Sequence, residues 1–136
     1  MTALLTAPKL ITNSGLQVLQ VDNELEYLKK DFSCCLIDEQ NLEHTAFRSV
    51  DLSSTLFENT QLLYCAFVHT TMQATTFLNC DLTGTQFYSP EDCKMRFINC
   101  QLTGVNLTDL KHKEYILDNC WAYSSLIEKE RKVIRL

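Results

Sequence analysis

Large apolar residues recur at every fifth position along most of the chain. Between Phe32 and Phe87, twelve successive steps are occupied in this way. They are Phe32, Ile37, Leu42, Phe47, Leu52, Phe57, Leu62, Phe67, Met72, Phe77, Leu82 and Phe87. An α-helix repeats at about 3.6 residues and a β-strand at about 2, so neither element produces this spacing. A chain that turns a corner every five residues, and closes one square coil in 20, does produce it.

A longer repeat of 20 residues supports the square coil. Phe77–Phe87 reads FLNCDLTGTQF, and Phe97–Leu107 reads FINCQLTGVNL. At the same interval, Ile37, Phe57, Phe77, Phe97 and Leu117 form one column, and Asn59, Asn79, Asn99 and Asn119 form another. Since neighbouring coils of a solenoid stack, we expect the Phe rings to pack above one another and the Asn amides to form a ladder.

The five-residue unit resembles the pentapeptide-repeat family. A small residue is followed by Asp, Asn or another polar residue, then by Leu or Phe, and then by two mostly polar residues. The best matches are CDLTG (Cys80–Gly84), CQLTG (Cys100–Gly104), VDLSS (Val50–Ser54) and VNLTD (Val105–Asp109). The resemblance covers about residues 32–122. It implies an all-β fold, a right-handed quadrilateral β-helix of about 4–5 coils.

The ends of the chain lack the five-residue register, and we expect them to cap the solenoid. Residues 1–31 are predicted to be an N-terminal cap, with Leu16–Val21 as a strand or the start of the cap. Asn23 and Glu26 predict a short helix that ends near Lys30. Residues 123–136 are predicted to form a C-terminal α-helix that caps the last coil, pairs with a second copy, or does both. Its apolar side, the candidate dimer interface, comprises Leu126, Ile127, Val133 and Ile134.

One side of the predicted coil departs from the apolar rule. Its central column reads Leu52, Met72, Asp92 and His112, so two apolar residues are followed by two polar ones. Because a buried carboxylate or imidazole without partners is costly, we expect the chain to bulge outward there. Segments 88–96 and 108–116 are therefore predicted to be irregular loops that stack on one side of the β-helix.

Cysteine content and the N-terminal sequence bear on the compartment. Five of the seven cysteines (Cys35, Cys65, Cys80, Cys100 and Cys120) fall at the small inward position, which predicts reduced core thiols and a reducing compartment. The chain opens without a basic region followed by an apolar block, and it has no long apolar run. We therefore expect a cytoplasmic protein with no membrane contact.

Motifs for catalysis or cofactor binding are absent from the sequence, which predicts a non-enzymatic protein without a cofactor or metal. The single cluster that resembles a catalytic site is Asp92, Cys93 and His112, which the register brings to one side. A thiol, an imidazole and a carboxylate can act as nucleophile, base and orienting group. Loops that interrupt a repeat also collect polar residues, and we favour that interpretation.

Charge favours a protein partner over direct nucleic-acid binding. Between residues 32 and 122 there are five bases and eleven acids, a net charge of −6, so a basic stripe for DNA is missing. The resemblance implies one function, since some family members resist quinolone drugs by binding topoisomerases as DNA-like rods. Duplex DNA of about 22 Å would carry about 13 charges, so close mimicry of a long duplex is not expected here.

The predicted partner-binding residues lie in the two irregular segments. They are Tyr88, Glu91, Asp92, Lys94, Arg96, Asp109, Lys111, His112, Lys113 and Glu114. Four of the five bases of the coil body lie here, among aromatic and apolar residues that suit protein contacts. The leading hypothesis is an inhibitor or protector of a DNA- or RNA-handling protein, as in topoisomerase protection or anti-defence immunity. The alternative is a scaffold or secreted effector that presents the loops to an unrelated partner.

Overall fold

The structure of the protein is a computed structural model that describes residues 17–18, 25–107, 110 and 114–121. These residues form a nearly all-β solenoid of parallel strands with about four turns. The strands in chain order are β1 (Gln17–Val18), β2 (Glu26–Leu28), β3 (Cys35–Asp38), β4 (Ala46–Arg48), β5 (Leu56–Glu58), β6 (Ala66–Val68), β7 (Thr71–Leu78), β8 (Gln86–Tyr88), β9 (Glu91–Ile98) and β10 (Glu114–Asp118).

The coil has four sides, as the five-residue step predicts. We name each face after one buried central residue: the Leu52 face, the Phe57 face, the Leu62 face and the Phe67 face. The Phe57 face carries a six-stranded sheet in the order β1-β3-β5-β7-β9-β10, and the Phe67 face carries a four-stranded sheet, β2-β4-β6-β8. Isolated parallel bridges, such as that between Gln61 and Asp81, join the coils on the other two faces. The predicted quadrilateral β-helix is confirmed.

Aromatic rings form two continuous columns inside the coil. The rings of Phe57, Phe77 and Phe97 stack nearly parallel, with centroids 4.9 and 5.1 Å apart. A second column, which includes Phe67 and Phe87 at 5.1 Å, packs edge-on against the first. Each ring is buried, so the interior is a dry aromatic core in which every coil supports the next. The predicted Phe column is confirmed.

The corners between faces are turned by residues in the left-handed region of φ. Gly84 and Gly104 have φ of 74° and 77°, but most corner residues are not glycine, for example Ser54 at 57°. A non-glycine residue in this conformation costs roughly 1–2 kcal/mol. Hydrogen bonds between coils offset part of this cost, since corner N–H groups such as that of Asn79 donate to the next coil, here to the Ile98 carbonyl at 2.9 Å.

The predicted asparagine ladder forms in the upper coils, by which we mean those nearer the C-terminus. The Asn119 side-chain amide donates to the Asn99 side-chain oxygen at 2.6 Å, and the Asn99 amide donates to Asn79 at 3.2 Å. In the lower coil, the Asn59 amide donates to the Asp38 carboxylate instead, at 3.3 Å. The ladder therefore joins three coils along one corner.

Small inward residues tie each coil to the preceding one. The Thr75 hydroxyl donates to the Leu52 carbonyl at 2.7 Å, and the Cys100 thiol donates to the Phe77 carbonyl at 3.2 Å. All seven cysteines are free. Four of the five predicted inward thiols are buried, and Cys120 is partly exposed. Burial raises the pKa of the Cys65 thiol to about 12. The prediction of reduced core thiols is confirmed.

The β-helix begins earlier than the sequence predicts. The expected helix near residues 23–30 is wrong, because Glu26–Leu28 is strand β2, which pairs with β4 at the same 20-residue interval. Tyr27 is buried, and its ring lies 5.5 Å from that of Phe47, so it continues the second aromatic column. Burial of this ring outweighs the local helix-capping signal, since propensity is a weak prior against tertiary packing.

Other predictions for the two ends are only partly covered by the described residues. The predicted strand at 16–21 is represented by β1, in which Gln17 pairs with Cys35 of β3. The predicted C-terminal helix at 123–136 lies outside the described residues. In the part of the chain that the structure describes, no helix has the length and apolar character that a membrane span requires.

Candidate protein-interaction site

The corner between the Leu52 face and the Phe57 face changes its form in the upper coils. In the lower coils Cys34, Ser54 and Ala74 turn it, with φ of 55°, 57° and 63°. Strand β7 continues through Ala74 in spite of its positive φ, and β9 (Glu91–Ile98) continues through Lys94, the next residue of this column, without positive φ. We call this segment the straightened corner. The predicted outward loop at 88–96 is therefore wrong for residues 91–96, which are strand.

A bulge of one residue makes the straightened corner possible. Gln73 pairs with Lys94 at an interval of 21 residues, whereas Thr75 pairs with Met95 at the usual 20. As a result Cys93 is buried at 5% exposure, close to the interior place that the register assigns to Asp92. A thiol is buried as a compact hydrophobe, whereas a carboxylate would need partners. The shift in register therefore supplies a thiol at this interior place, and the chain forms no outward loop at residues 91–96.

A small groove lies outside the straightened corner. It has a volume of about 230 Å³ and is lined by Ala74, Lys94, Met95, Arg96, Tyr115 and Ile116. Met95 and Tyr115 are buried beneath it, whereas Ile116 is 47% exposed. Ile116 lies directly opposite Arg96 in the register between β9 and β10. The groove therefore combines an apolar floor with two exposed cationic side chains at its rim.

The other predicted partner-binding residues are distributed around this corner. Glu91 is exposed at the start of β9, and Tyr88 is exposed at the end of β8 on the Phe67 face, one corner away. Asp92 lies in β9, and Glu114 pairs with Lys94 through the backbone. The structure thus brings Glu91, Lys94 and Arg96 onto one strand and places Tyr88 on another face.

Several predicted residues lie outside the described part of the chain. These are Asp109, Lys111, His112 and Lys113 of the second irregular segment, together with Leu126, Ile127, Val133 and Ile134 of the candidate dimer interface. The end of the second segment is described, and the predicted loop at 108–116 is wrong for residues 114–116, which belong to strand β10. The roles assigned to all these residues stay predictions.

Some acids of the β-helix have a structural task. The carboxylates of Asp31, Asp51 and Asp81 accept hydrogen bonds from the backbone N–H two residues later, at 2.9 to 3.0 Å. This local turn is a common use of Asp beside a corner. The hydrogen bonds from Ser33 lower the pKa of Asp31 below its usual value. These acids contribute negative charge, but their positions are set by the coil.

The cluster that resembled a catalytic site is not assembled by the described residues. Cys93 is buried, and His112 lies outside the described residues. Within residues 25–107 and 114–121, no group of three or more His, Cys, Asp or Glu side chains could hold a metal ion. The absence of catalysis and of a cofactor stays a prediction.

Two exposed features were not found from the sequence. Ile116 occupies an outward position of a strand, where a single apolar residue is ordinary and carries no signal. On another corner, the ring of Tyr64 stacks on that of His44 at 5.4 Å and covers the backbone of Gly84. These three residues are spaced 20 apart in the sequence, but nothing in the sequence indicated that the rings would stack.

Comparisons with known proteins give matches to solved structures. Neither a protein-family model nor a curated protein matches the sequence. Trypsin-treated QnrB1, a plasmid-mediated fluoroquinolone resistance protein, matches with a TM-score of 0.47 and 16% identity, over 74% of this chain and 68% of that one. Full-length QnrB1 gives a TM-score of 0.41 and 14% identity, over 74% and 57% of the two chains.

A third solved structure is similar to this chain at the same level. The pentapeptide repeat protein Rfr23, from the cyanobacterium Cyanothece 51142, matches with a TM-score of 0.38 and 16% identity, over 76% of this chain and 85% of that one. Likeness of this degree carries no argument about function. The fold is established by the chain's own five-residue register and by its four faces.

Proposed function

Because the chain is a pentapeptide-repeat β-helix, we propose that it acts by binding another protein, with no chemistry of its own. The observation that carries this proposal is the straightened corner, where exposed Lys94 and Arg96 lie beside an apolar groove on a coil body whose net charge is −6. Exposed Arg and apolar residues around a depression are typical of protein-binding surfaces.

The coil body supports this role as a rigid support. Its core is built from stacked rings, and its coils are joined by backbone hydrogen bonds on every face, so the four outer surfaces keep a fixed relation to one another. Binding by a preformed surface avoids the entropic cost of ordering a loop. The straightened corner is part of this body, because β9 is hydrogen-bonded on both sides, to β7 and to β10.

We further propose that the partner is a nucleic-acid-handling protein, which this protein inhibits or protects in the cytoplasm. The excess of acids favours approach to a partner that has a basic nucleic-acid channel. A net charge of −6 on the coil body is less than half of the roughly 13 charges of an equally long duplex. The acidic surface would therefore attract and orient the partner, and the straightened corner would supply specificity.

The test is a pull-down from a bacterial lysate with the tagged protein, followed by competition with a 20-base-pair duplex. Displacement of the captured protein by the duplex, and its loss at high salt, would support a nucleic-acid-handling partner. Replacement of Lys94 and Arg96 with Ala should reduce capture, whereas Arg48→Ala should not. Arg48 is the matched control because it lies on the Phe67 face and already pairs with Glu26 at 2.6 Å.

A second candidate function is a scaffold that presents its faces to a partner unrelated to nucleic acid. The specific observation in its favour is that Asp31, Asp51 and Asp81 are held in corner turns, so part of the negative charge serves the fold. In the same pull-down, capture that neither duplex DNA nor salt disturbs would favour the scaffold. Sedimentation of the full chain and of an Ile127→Glu variant would test pairing through the C-terminal segment.

A further inference from the structure

We propose that the groove at the straightened corner receives an apolar side chain of a protein partner that has a carboxylate beside it. This inference rests on the proposed function, and it gives the chemistry of the partner at one place. The groove is defined by Ala74, Lys94, Met95, Arg96, Tyr115 and Ile116.

The floor and one wall of the groove are apolar. Met95 and Tyr115 are buried in the floor, and Ile116 forms a wall with nearly half of its surface exposed. Below them Ala74 leaves space, because its methyl group is the smallest side chain after glycine. Single exposed apolar residues are ordinary, but an exposed Ile beside a concave apolar floor offers a place where another side chain can be desolvated.

Arg96 supplies the positive charge that would bind the carboxylate. Its neighbours across the sheet are Thr76 on β7 and Ile116 on β10, and neither is charged. Among the side chains that the structure describes, Arg96 makes no ion pair, whereas Arg48 is engaged by Glu26. Lys94 lies opposite Glu114 in the register, so Arg96 is the cation on which the proposal depends. A guanidinium group binds a carboxylate through two parallel hydrogen bonds.

The bulge between β7 and β9 sets the positions of the two cations. Ser54 and Ala74 turn the corner with positive φ, and of these two residues only Ala74 lies within a strand, β7. At Lys94 the strand continues, which places Lys94 and Arg96 on the same outward side, on either side of buried Met95. Two residues along a strand are about 6.6–6.8 Å apart, so both cations reach one bound segment.

The test is a titration of the isotopically labelled full chain with short synthetic peptides, followed by NMR of the backbone amides. The first peptide has Leu and Phe between pairs of Glu. One control peptide has Lys in place of Glu, and the other has Ser in place of Leu and Phe. We expect saturable shifts of the Ala74, Arg96 and Ile116 amides with the first peptide, and at least tenfold weaker binding of both controls.

Variants separate the groove from general charge effects. We expect Arg96→Gln and Ile116→Ser to weaken the first peptide at least tenfold, and Arg48→Gln to change it less than twofold. All three positions are exposed, so native amide spectra should be preserved. Equal binding of the Lys peptide, shifts located on another face, or an equal loss in Arg48→Gln would overturn the proposal. The same shifts produced by inorganic phosphate would also overturn it, since the groove would then be an anion site.

Failure of this inference can be distinguished from failure of the proposed function. If Arg96→Gln captures the lysate partner as well as the natural sequence does, the groove is not the contact, but protein binding stands. If no protein is captured in any condition, the proposed function fails, whereas the peptide titration still reports on the groove.

Discussion

Ala74 and Lys94 occupy the same corner in neighbouring coils, yet the chain passes them in different ways. Both lie within strands, β7 and β9, but Ala74 has a positive φ, whereas Lys94 does not and follows a one-residue shift in the register. The difference follows from what the interior would have to accept, which is Met72 in one coil and Asp92 in the next. A repeat protein can thus exchange a turn for a bulge to keep its core apolar, and the exchange changes the outer surface.

The largest effect is expected from the regular core on which both corners rest. Phe77 is buried and stacks on Phe57 below and on Phe97 above. Its replacement by Ala should lower the free energy of unfolding by about 3–5 kcal/mol, because the ring is lost and a cavity remains. Urea denaturation followed by circular dichroism would measure the change. A decrease in the free energy of unfolding of less than about 1 kcal/mol would show that the aromatic column contributes little to the stability of the fold.

The next effect tests whether Cys93 really replaces Asp92 inside. Cys93→Asp would bury a carboxylate and should cost several kcal/mol. Lys94→Asp, one residue along on the exposed side, should cost at most about 1 kcal/mol, because the new carboxylate stays exposed although it lies opposite Glu114 in the register. The comparison of the two variants by urea denaturation needs no knowledge of the partner. Equal effects would mean that the bulge is not where the register between β7 and β9 places it.

A third test introduces glycine at each of the two corners and compares the sign of the change in stability. Ala74→Gly should stabilise the protein by about 1 kcal/mol, since glycine adopts positive φ without a steric cost. Lys94→Gly should destabilise it by roughly 0.5–1 kcal/mol, because glycine loses more entropy in a strand. Thermal unfolding of the two variants beside the natural chain would decide. The same sign in both would contradict a straightened corner.

The last test does not change the stability of the protein. It compares the reactivity of a thiol at a corner with that of a thiol in a wall of the coil. Cys34 is exposed at a corner, whereas Cys65 is buried in a wall and its pKa is raised to about 12 by burial. At pH 8 a thiol reagent should label Cys34 quickly and Cys65 only after unfolding, because the thiolate is the reactive form. Mass spectrometry of peptides from the labelled protein would locate the adducts. Rapid labelling of Cys65 in the folded chain would contradict its place in the core.

Much of the fold could be predicted because its signal is periodic and apolar. The Phe57, Phe77 and Phe97 column needs only an equal interval between coils, and packing then selects one register. Tyr27 belonged to the same five-residue series, but the local signal of Asn23 and Glu26 pointed to a helix. Tertiary packing decided against that signal, which is why the first coil was missed.

The candidate site was less predictable, because it depends on a single-residue bulge. The sequence showed that Asp92 does not fit inside, but an outward loop and a register shift both solve that problem. Which solution the chain adopts depends on Cys93, a residue that fills the interior at little cost. The exposure of Ile116 follows from the position of β10 beside β9, and neither side chain pattern nor charge indicated it.

We propose that the regular coils are a rigid support and that a partner binds at the straightened corner. Site-specific photo-crosslinking in bacterial cells tests this most directly, with p-benzoylphenylalanine placed either at Ile116 or at Leu28. These two residues have similar exposure, 47% and 53%, and lie on the Phe57 and Phe67 faces. We expect a discrete crosslinked protein from position 116 and none from position 28. Crosslinks from position 28 alone, or equally from both, would contradict it.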